Sequence, residues 1–324
     1  MNAALNGVPS GRHDRPGPDF IGIGPGKAGT TWVYEQLRAH PQVFMPDEKE
    51  LHYFDEELYG PPGSVNLRSE QPLDWYHDQF IGADPDQVRG EITPSYFTSR
   101  AAPPRVRAAY PDVNLFSIVR RPQDRLWSMY LFATQKGEIA RVDFAEALER
   151  YPYLLERCHN SPAIERWFEH FGAPELRVWL YDDLRDEPTR FLAELHAHIG
   201  VDARTPSDPG RRANETGQHR YPRLNRSVMR ARVALRRSRT LERTVQGAKR
   251  IGLGAPFSWL QRQVRPFDDA PRLEPAQRAR LDEVFAADID RLAALLGRDL
   301  DHWKWSNPTH VISNSSAPFQ DETS

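Results

Sequence analysis

The 324-residue sequence predicts an α/β fold: a parallel sheet flanked by helices, with a helical C-terminal portion. Three observations carry this. Short apolar runs of buried-strand type, Phe20 to Ile23, Asn114 to Val119 and Leu176 to Tyr181, recur between stretches of helical periodicity. Each run leads into polar residues that open a helix, as strands of an open parallel sheet do at their C-terminal ends. The last long stretch, Pro275 to Leu296, sets Leu281, Val284, Phe285, Ile289, Leu292 and Leu296 at helical spacing, which predicts a core helix.

In chain order, residues 1–18 and 307–324 are rich in Gly, Pro, Ser and Asn without apolar periodicity, and are expected to be flexible tails around a domain at 19–306. Asp19 to Trp32, DFIGIGPGKAGTTW, reads as strand, anion-binding loop and helix. Gly24, Gly26 and Gly29 permit a tight turn whose backbone N–H groups converge on one ligand. Thr30 and Thr31 open a helix that runs through Leu37 and Arg38, so the positive end of its dipole faces the same point. Val43 to Met45 is a short strand ended by Pro46. Leu58 to Asp74 reads as loop, Trp75 to Phe80 as a short helix, and Gly90 to Ile92 as a strand end. Ala102 to Tyr110 is a helix with Pro103 and Pro104 in its first turn. Asn114 to Val119 feeds through Arg120, Arg121 and Pro122 into a helix carrying Leu126, Met129, Tyr130 and Phe132. Leu176 to Tyr181 passes through Asp182 and Asp183 to a helix at Thr189 to Ile199, with Thr189 in the N-cap region.

Composition narrows the function classes. A formal net charge of −2 argues against a general nucleic-acid binder. The single cysteine, Cys158, cannot form an intramolecular disulfide, and the N-terminus has no apolar signal region. A cytoplasmic location is expected. The charge is uneven, however: from about 220 to 265 a basic segment, expected to be largely helical, carries roughly a dozen positive charges against Glu242. It reads either as a solvated helical face or as a dock for an anionic substrate or an acidic membrane surface.

The anion loop has three possible relatives. A Walker loop ends in Gly-Lys-Ser/Thr, but here Gly29 precedes Thr30 and Lys27 comes two residues early. The Rossmann pattern is met by Gly24, Gly26 and Gly29, yet a dinucleotide does not need Lys27-Ala28-Gly29-Thr30-Thr31. The third, GPGKAGTTW, closely resembles the loop by which sulfotransferases hold the 5′-phosphosulfate of PAPS (3′-phosphoadenosine 5′-phosphosulfate). Two further stretches extend the resemblance. SIVRRPQDRLWSMY places Arg120 at a strand end and Ser128 in the following helix, similar to the 3′-phosphate site of that family. KELHYFD, Lys49 to Asp55, resembles a Lys-Glu-x-His-Phe-Phe segment of the heparan sulfate 3-O enzymes. GEITPSYFTS, Gly90 to Ser99, is close to their Glu-Lys-Thr-Pro-x-Tyr-Phe segment, with Ile92 where they carry lysine. NETGQHR, Asn214 to Arg220, resembles the loop that closes over the nucleotide.

The resemblance covers about Asp19 to Arg220 and implies a P-loop-like fold and a PAPS-dependent sulfotransferase of bacterial type. Carried over residue by residue, Gly26, Lys27, Ala28, Gly29, Thr30, Thr31, Arg120, Ser128, Gly217 and Arg220 would bind the nucleotide. Lys27 would stabilise developing charge, and Glu50 would deprotonate the acceptor hydroxyl, with His52 the competing base. No metal is implied, because a sulfonate carries less charge than a phosphoryl group and no His/Cys cluster stands at ligand spacing. The acceptor class stays open among carbohydrate, glycolipid and small metabolite. A P-loop-like kinase and a non-catalytic nucleotide- or glycan-binding module are the other readings; the first needs ATP with magnesium, and the second lacks a use for Lys27 and Glu50 together.

Overall fold

The computed structural model describes residues 16–56, 62–206, 217–219, 264–266 and 273–304. Its centre is a sheet of parallel strands β1 (Phe20–Gly24), β2 (Val43–Phe44), β3 (Val88–Ile92), β4 (Asn114–Val119) and β5 (Leu176–Leu180), in the order β2-β3-β1-β4-β5. Phe20 stands beside Gly90 of β3 and Asn114 of β4, and Leu115 to Val119 run in register with Leu176 to Leu180. After β3 the chain crosses β1 to build β4 and β5 on its other side. A crevice therefore opens at the C-terminal ends of β1 and β4, where ligands bind in sheets of this kind.

Helices cover both faces. Those placed by chain order are α1 (Thr30–Arg38), α2 (Leu73–His77), α3 (Ala102–Ala109), α4 (Pro122–Lys136), α5 (Phe144–Arg150), α6 (Tyr153–Glu156), α7 (Ser161–Phe168), α8 (Tyr181–Asp186), α9 (Pro188–Ile199) and α10 (Pro275–Leu296). The side-chain period of two divides β4 between two cores. Phe116 and Ile118 join Trp32, Val33 and Leu37 of α1 and Phe191, Leu192 and Leu195 of α9. Leu115 and Val119 join Leu126 of α4, Ile164 and Trp167 of α7, and Leu281, Phe285 and Ile289 of α10. Pro122, Pro188 and Pro275 occupy first turns, where a missing N–H leaves no bond unmade. Antiparallel to each other, β6 (Gly217–His219) and β7 (Val264–Pro266) form a separate ladder.

Several expectations need correction. The Leu58 to Asp74 loop contains a 3-10 turn at Leu67–Glu70, capped by the Asn66 side chain, and α2 begins at Leu73. Asp182 and Asp183 lie inside α8 rather than in a turn, because Asp183 accepts a hydrogen bond from the Leu180 amide and opens that helix. Thr189 lies inside α9, whose N-cap is Glu187. Val284 is 38% exposed on α10 and does not belong to the core. Helices α5, α6 and α7 have no counterpart in the sequence reading. The predicted tails, apart from residues 16–18, and nearly all of the basic segment lie outside the described residues; Val264 and Arg265, at its end, are in strand β7. No helix among the described residues is long and apolar enough to cross a membrane.

One packing detail away from the crevice gives a pH dependence. His40 and His196 are both buried, with ring centroids 4.7 Å apart, joining the end of α1 to α9. Each Nδ1 already accepts a backbone amide, from Gln42 and Arg204 respectively, and His196 Nε2 has no partner. Burial first, then the neighbouring His40 and Arg204, push His196 down from its ordinary 6.5 to about 4. A depressed histidine stays neutral in the fold while the unfolded chain takes up the proton, so stability is full above pH 6.5 and declines as pH falls toward 4. The expected loss is about 3 kcal/mol. Urea unfolding at stepped pH should show it, and His196→Asn, which keeps an acceptor near Nδ1, should flatten that slope. An equal slope in the variant would assign the acid sensitivity elsewhere.

Candidate active site

The anion loop is shaped by three left-handed positions. Gly24 has φ 102°, and a Cβ there would lie 2.5 Å from the Pro94 carbonyl oxygen, so only glycine lets the turn after β3 approach β1. Gly29, φ 88°, is the N-cap of α1 and contributes no side-chain cap, which leaves the first-turn amides available to a ligand. The third left-handed position is not Gly26 but Lys27, φ 68°. Around it Ala28 is fully buried, Thr30 is buried, and Thr31 Oγ1 accepts a 2.9 Å hydrogen bond from Lys49 Nζ.

Lys27 Nζ stands 4.4 Å from the ring centroid of Phe132 on α4. Burial lowers its pKa from 10.5 to about 8, helped by three positive neighbours, Arg120, Lys136 and Lys49. Arg120, the first residue beyond β4, donates from Nη1 to the Lys27 carbonyl oxygen at 3.0 Å. Its guanidinium lies 4.8 Å from the Tyr181 ring at the start of α8, and its buried Nε has no partner. Ser128, Phe132 and Lys136 recur every four residues on α4 and so share one face; Lys136 Nζ is 5.4 Å from the Phe132 ring. Cations gathered at the positive end of a helix, with a buried donor left over, make a receptor for an anion.

Opposite the loop is the segment Lys49 to Asp55. Lys27, Glu50 (φ 67°) and His52 (φ 54°) are the non-glycine residues of positive φ among the described residues. Unfavourable backbone of this kind persists where surrounding contacts enforce it, and here they are explicit. Arg68, on the Leu67–Glu70 turn, donates to the carbonyls of Glu50 and Leu51 and pairs with Glu48. Asn66 Nδ2 donates to the carbonyls of His52 and Asp55. Lys49 Nζ pairs with Glu50 Oε1 at 3.0 Å. Burial pushes the Glu50 carboxyl upward, but Lys49, then His52 and Arg68, hold it below the usual carboxylate value.

His52 Nδ1 is 3.0 Å from Asp55 Oδ2 and 2.9 Å from Ser95 Oγ, while Ser95 Oγ also donates to Asp55 Oδ2. With its Nδ1 proton given to Asp55, Nε2 faces Glu50 Oε2 at 3.7 Å. Beneath this group lies Glu91, wholly enclosed, accepting from Thr93, Tyr76 and Tyr96 hydroxyls at 2.6, 2.9 and 3.0 Å. Burial raises its pKa against those hydrogen bonds. Tyr96 in turn accepts the amide of Tyr53 at 2.9 Å, and Thr93 Oγ1 accepts that of His52 at 3.4 Å. The buried carboxylate thus anchors the backbone that carries His52. Ile92, next to it, is buried in the core.

The structure therefore brings Gly26 to Thr31, Arg120 and the Ser128 face of α4 to one crevice, with Glu50 and His52 linked to it through Lys49 and Thr31. Gly217 is described only as a backbone partner of Pro266, and Arg220 lies outside the described residues. Sequence reasoning missed Lys49, Asp55, Ser95, Glu91, Asn66 and Lys136 as site residues. Asp55 could have been found from its spacing to His52, and Glu91 from its place at a strand end; Asn66 carries no local signal. Among the described residues no group of three or more His, Cys, Asp or Glu side chains is arranged to hold a metal ion.

A P-loop-like anion receptor at the switch point of a parallel sheet, faced by a carboxylate and an imidazole, defines a group-transfer architecture. Residues 17–293 match the family described as "Sulfotransferase domain", and the chain belongs to the sulfotransferase family. It is 27% identical over 206 residues to the bifunctional heparan sulfate N-deacetylase/N-sulfotransferase 4 of Mus musculus, a match covering 57% of this chain and 22% of that protein. Over 200 residues it is 28% identical to the heparan sulfate glucosamine 3-O-sulfotransferase 3B1 of Homo sapiens, covering 59% of this chain and 48% of that protein. The chain thus spans less than half the length of these two relatives. A sulfotransferase from Alicyclobacillus acidocaldarius shares the fold, with a TM-score of 0.62 at 22% identity over 88% of this chain and 98% of that one.

Proposed function

We propose that this protein transfers the sulfonate of PAPS to an acceptor hydroxyl. The observation that carries the reading is the junction of Lys27 and Arg120, where the guanidinium bonds the Lys27 carbonyl at the N-terminus of α1 and the charges that act on the partly buried lysine are all positive. The residues fit a nucleotide with two anionic ends. Loop amides, Lys27, Thr30 and Thr31 would hold the 5′-phosphosulfate, and Arg120 with Ser128 the 3′-phosphate. The co-substrate supplies an activated sulfonate. Lys27 and the loop amides offset the charge that develops on the bridging oxygen, and Glu50 accepts the proton of the acceptor hydroxyl.

A second reading of the base rests on one observation: Asp55 holds His52 Nδ1, which is the arrangement that prepares the other ring nitrogen to take a proton. The side-chain exposures favour Glu50, at 38% against 14% for His52. By their descriptions the two relatives act on heparan sulfate, which supports a carbohydrate acceptor. A mass-spectrometric screen of glycans and small metabolites with PAPS, scoring a sulfonate mass gain, would identify it.

Isothermal titration tests the donor site directly. The desulfonated nucleotide PAP should bind far better than AMP, because its 3′-phosphate adds charge-assisted contacts at Arg120. Arg120→Ala should cost about 1.5–3 kcal/mol of PAP binding. Equal affinity for AMP and PAP would sink the Arg120 assignment.

A further inference from the structure

Lys49 is used by neither the donor contacts nor the proton transfer above, yet it touches both sides of the crevice. Its ammonium donates to Thr31 Oγ1 at 2.9 Å and to Glu50 Oε1 at 3.0 Å. Neighbouring side chains of an extended segment point to opposite faces. The φ of 67° at Glu50 breaks that alternation, and its carboxylate meets the ammonium of the residue before it. Thr31 belongs to the first turn of α1 and so moves with the anion loop. One cation with three donors is suited to join them.

We propose that Lys49 is a positioning residue that ties the donor loop to the catalytic carboxylate, fixing Glu50 against Thr31. The inference rests on the proposed roles of the loop and Glu50. The other charged groups around Glu50 are arranged differently. Arg68 spends its guanidinium on the Glu50 and Leu51 carbonyls and on Glu48, and His52 is held by Asp55. Glu91 is turned away onto Thr93, Tyr76 and Tyr96, and Lys27 stands over Phe132. Lys49 alone among these has hydrogen bonds to both the loop and the carboxylate. It also heads the charges that lower Glu50 and is among those that lower Lys27.

The test is a titration of the Glu50 carboxyl by NMR in full-length protein labelled with carbon-13 at glutamate Cδ, the resonance assigned by its loss in Glu50→Gln. Without any ligand, Lys49→Met should raise the Glu50 midpoint by about one unit or more, the effect of removing an adjacent opposite charge. Lys49→Arg, which keeps charge and reach, should return most of that shift. A midpoint unmoved in Lys49→Met overturns the proposal. If Lys49→Met does not fold, an unmoved midpoint when Thr31→Val is compared with wild type and Lys49→Arg does the same, since the tether would then have no effect on the carboxylate. A second measurement uses saturating PAP at about pH 8, where the carboxylate is fully ionised. PAP should displace the Glu50 resonance in the wild type and displace it by less than half as much in Lys49→Met. Equal displacement in both overturns the tether. Failure of PAP to bind the wild type would instead overturn the donor-site reading and leave the ligand-free comparison to decide Lys49.

Discussion

Replacing Lys27 by methionine should lower turnover with PAPS by about 10²–10³-fold, the loss produced by removing one pre-positioned charge-stabilising donor. Methionine matches the length of the stem and retains its packing on Phe132, so the fold should survive. The pH dependence carries a second signature. Because burial and the neighbouring cations bring Lys27 to about 8, its charge is lost on the alkaline side of neutrality. In the proposed donor site PAP binding needs the charged form, so affinity should weaken as pH rises past 8, approaching tenfold per unit. Bound phosphate favours the ammonium and moves the break upward in the complex. Titration calorimetry across that range should show the decline in the wild type and its absence in Lys27→Met. A wild-type affinity independent of pH from 7 to 10 would mean that Lys27 does not face the nucleotide.

Local chemistry made the donor side of this crevice legible. The Gly24 to Thr31 loop is contiguous, and Arg120 follows directly on a strand whose apolar run announces it, so pattern and position coincide. One detail escaped: the left-handed position fell on Lys27 rather than Gly26, because a glycine permits that conformation without marking which residue adopts it. The acceptor side was legible only as a motif. Its geometry depends on Asn66, Arg68, Ser95 and Glu91, which reach the Glu50 to Asp55 backbone from segments distant in sequence. No local pattern encodes such contacts. Helix α7 was missed for a related reason: its start is set by a tertiary partner, Asp288 of α10, which accepts from the Asn160 and Ser161 amides. Helix α5 did carry a local signal, Asp143 capping the Glu146 amide, which the sequence reading passed over.

Glu50→Gln should reduce turnover by about 10²–10⁴-fold with little change in PAP affinity, the usual contribution of a general base. Glutamine keeps the size of the side chain and an oxygen that can accept from Lys49, so the loss isolates proton acceptance rather than position. His52→Ala should do less, since in this reading the imidazole orients and screens the carboxylate from 3.7 Å without taking the proton. Glu50 also leaves a pH signature: it lies below the ordinary carboxylate range, so a rate that depends on it should hold through mildly acidic pH and fall only where that carboxylate protonates. Steady-state kinetics with PAPS and the acceptor found by mass spectrometry separates these outcomes. Near-normal turnover in Glu50→Gln, together with loss of turnover in a folded, PAP-binding His52→Ala, would transfer the role of base to His52 and make Asp55 the residue that orients it.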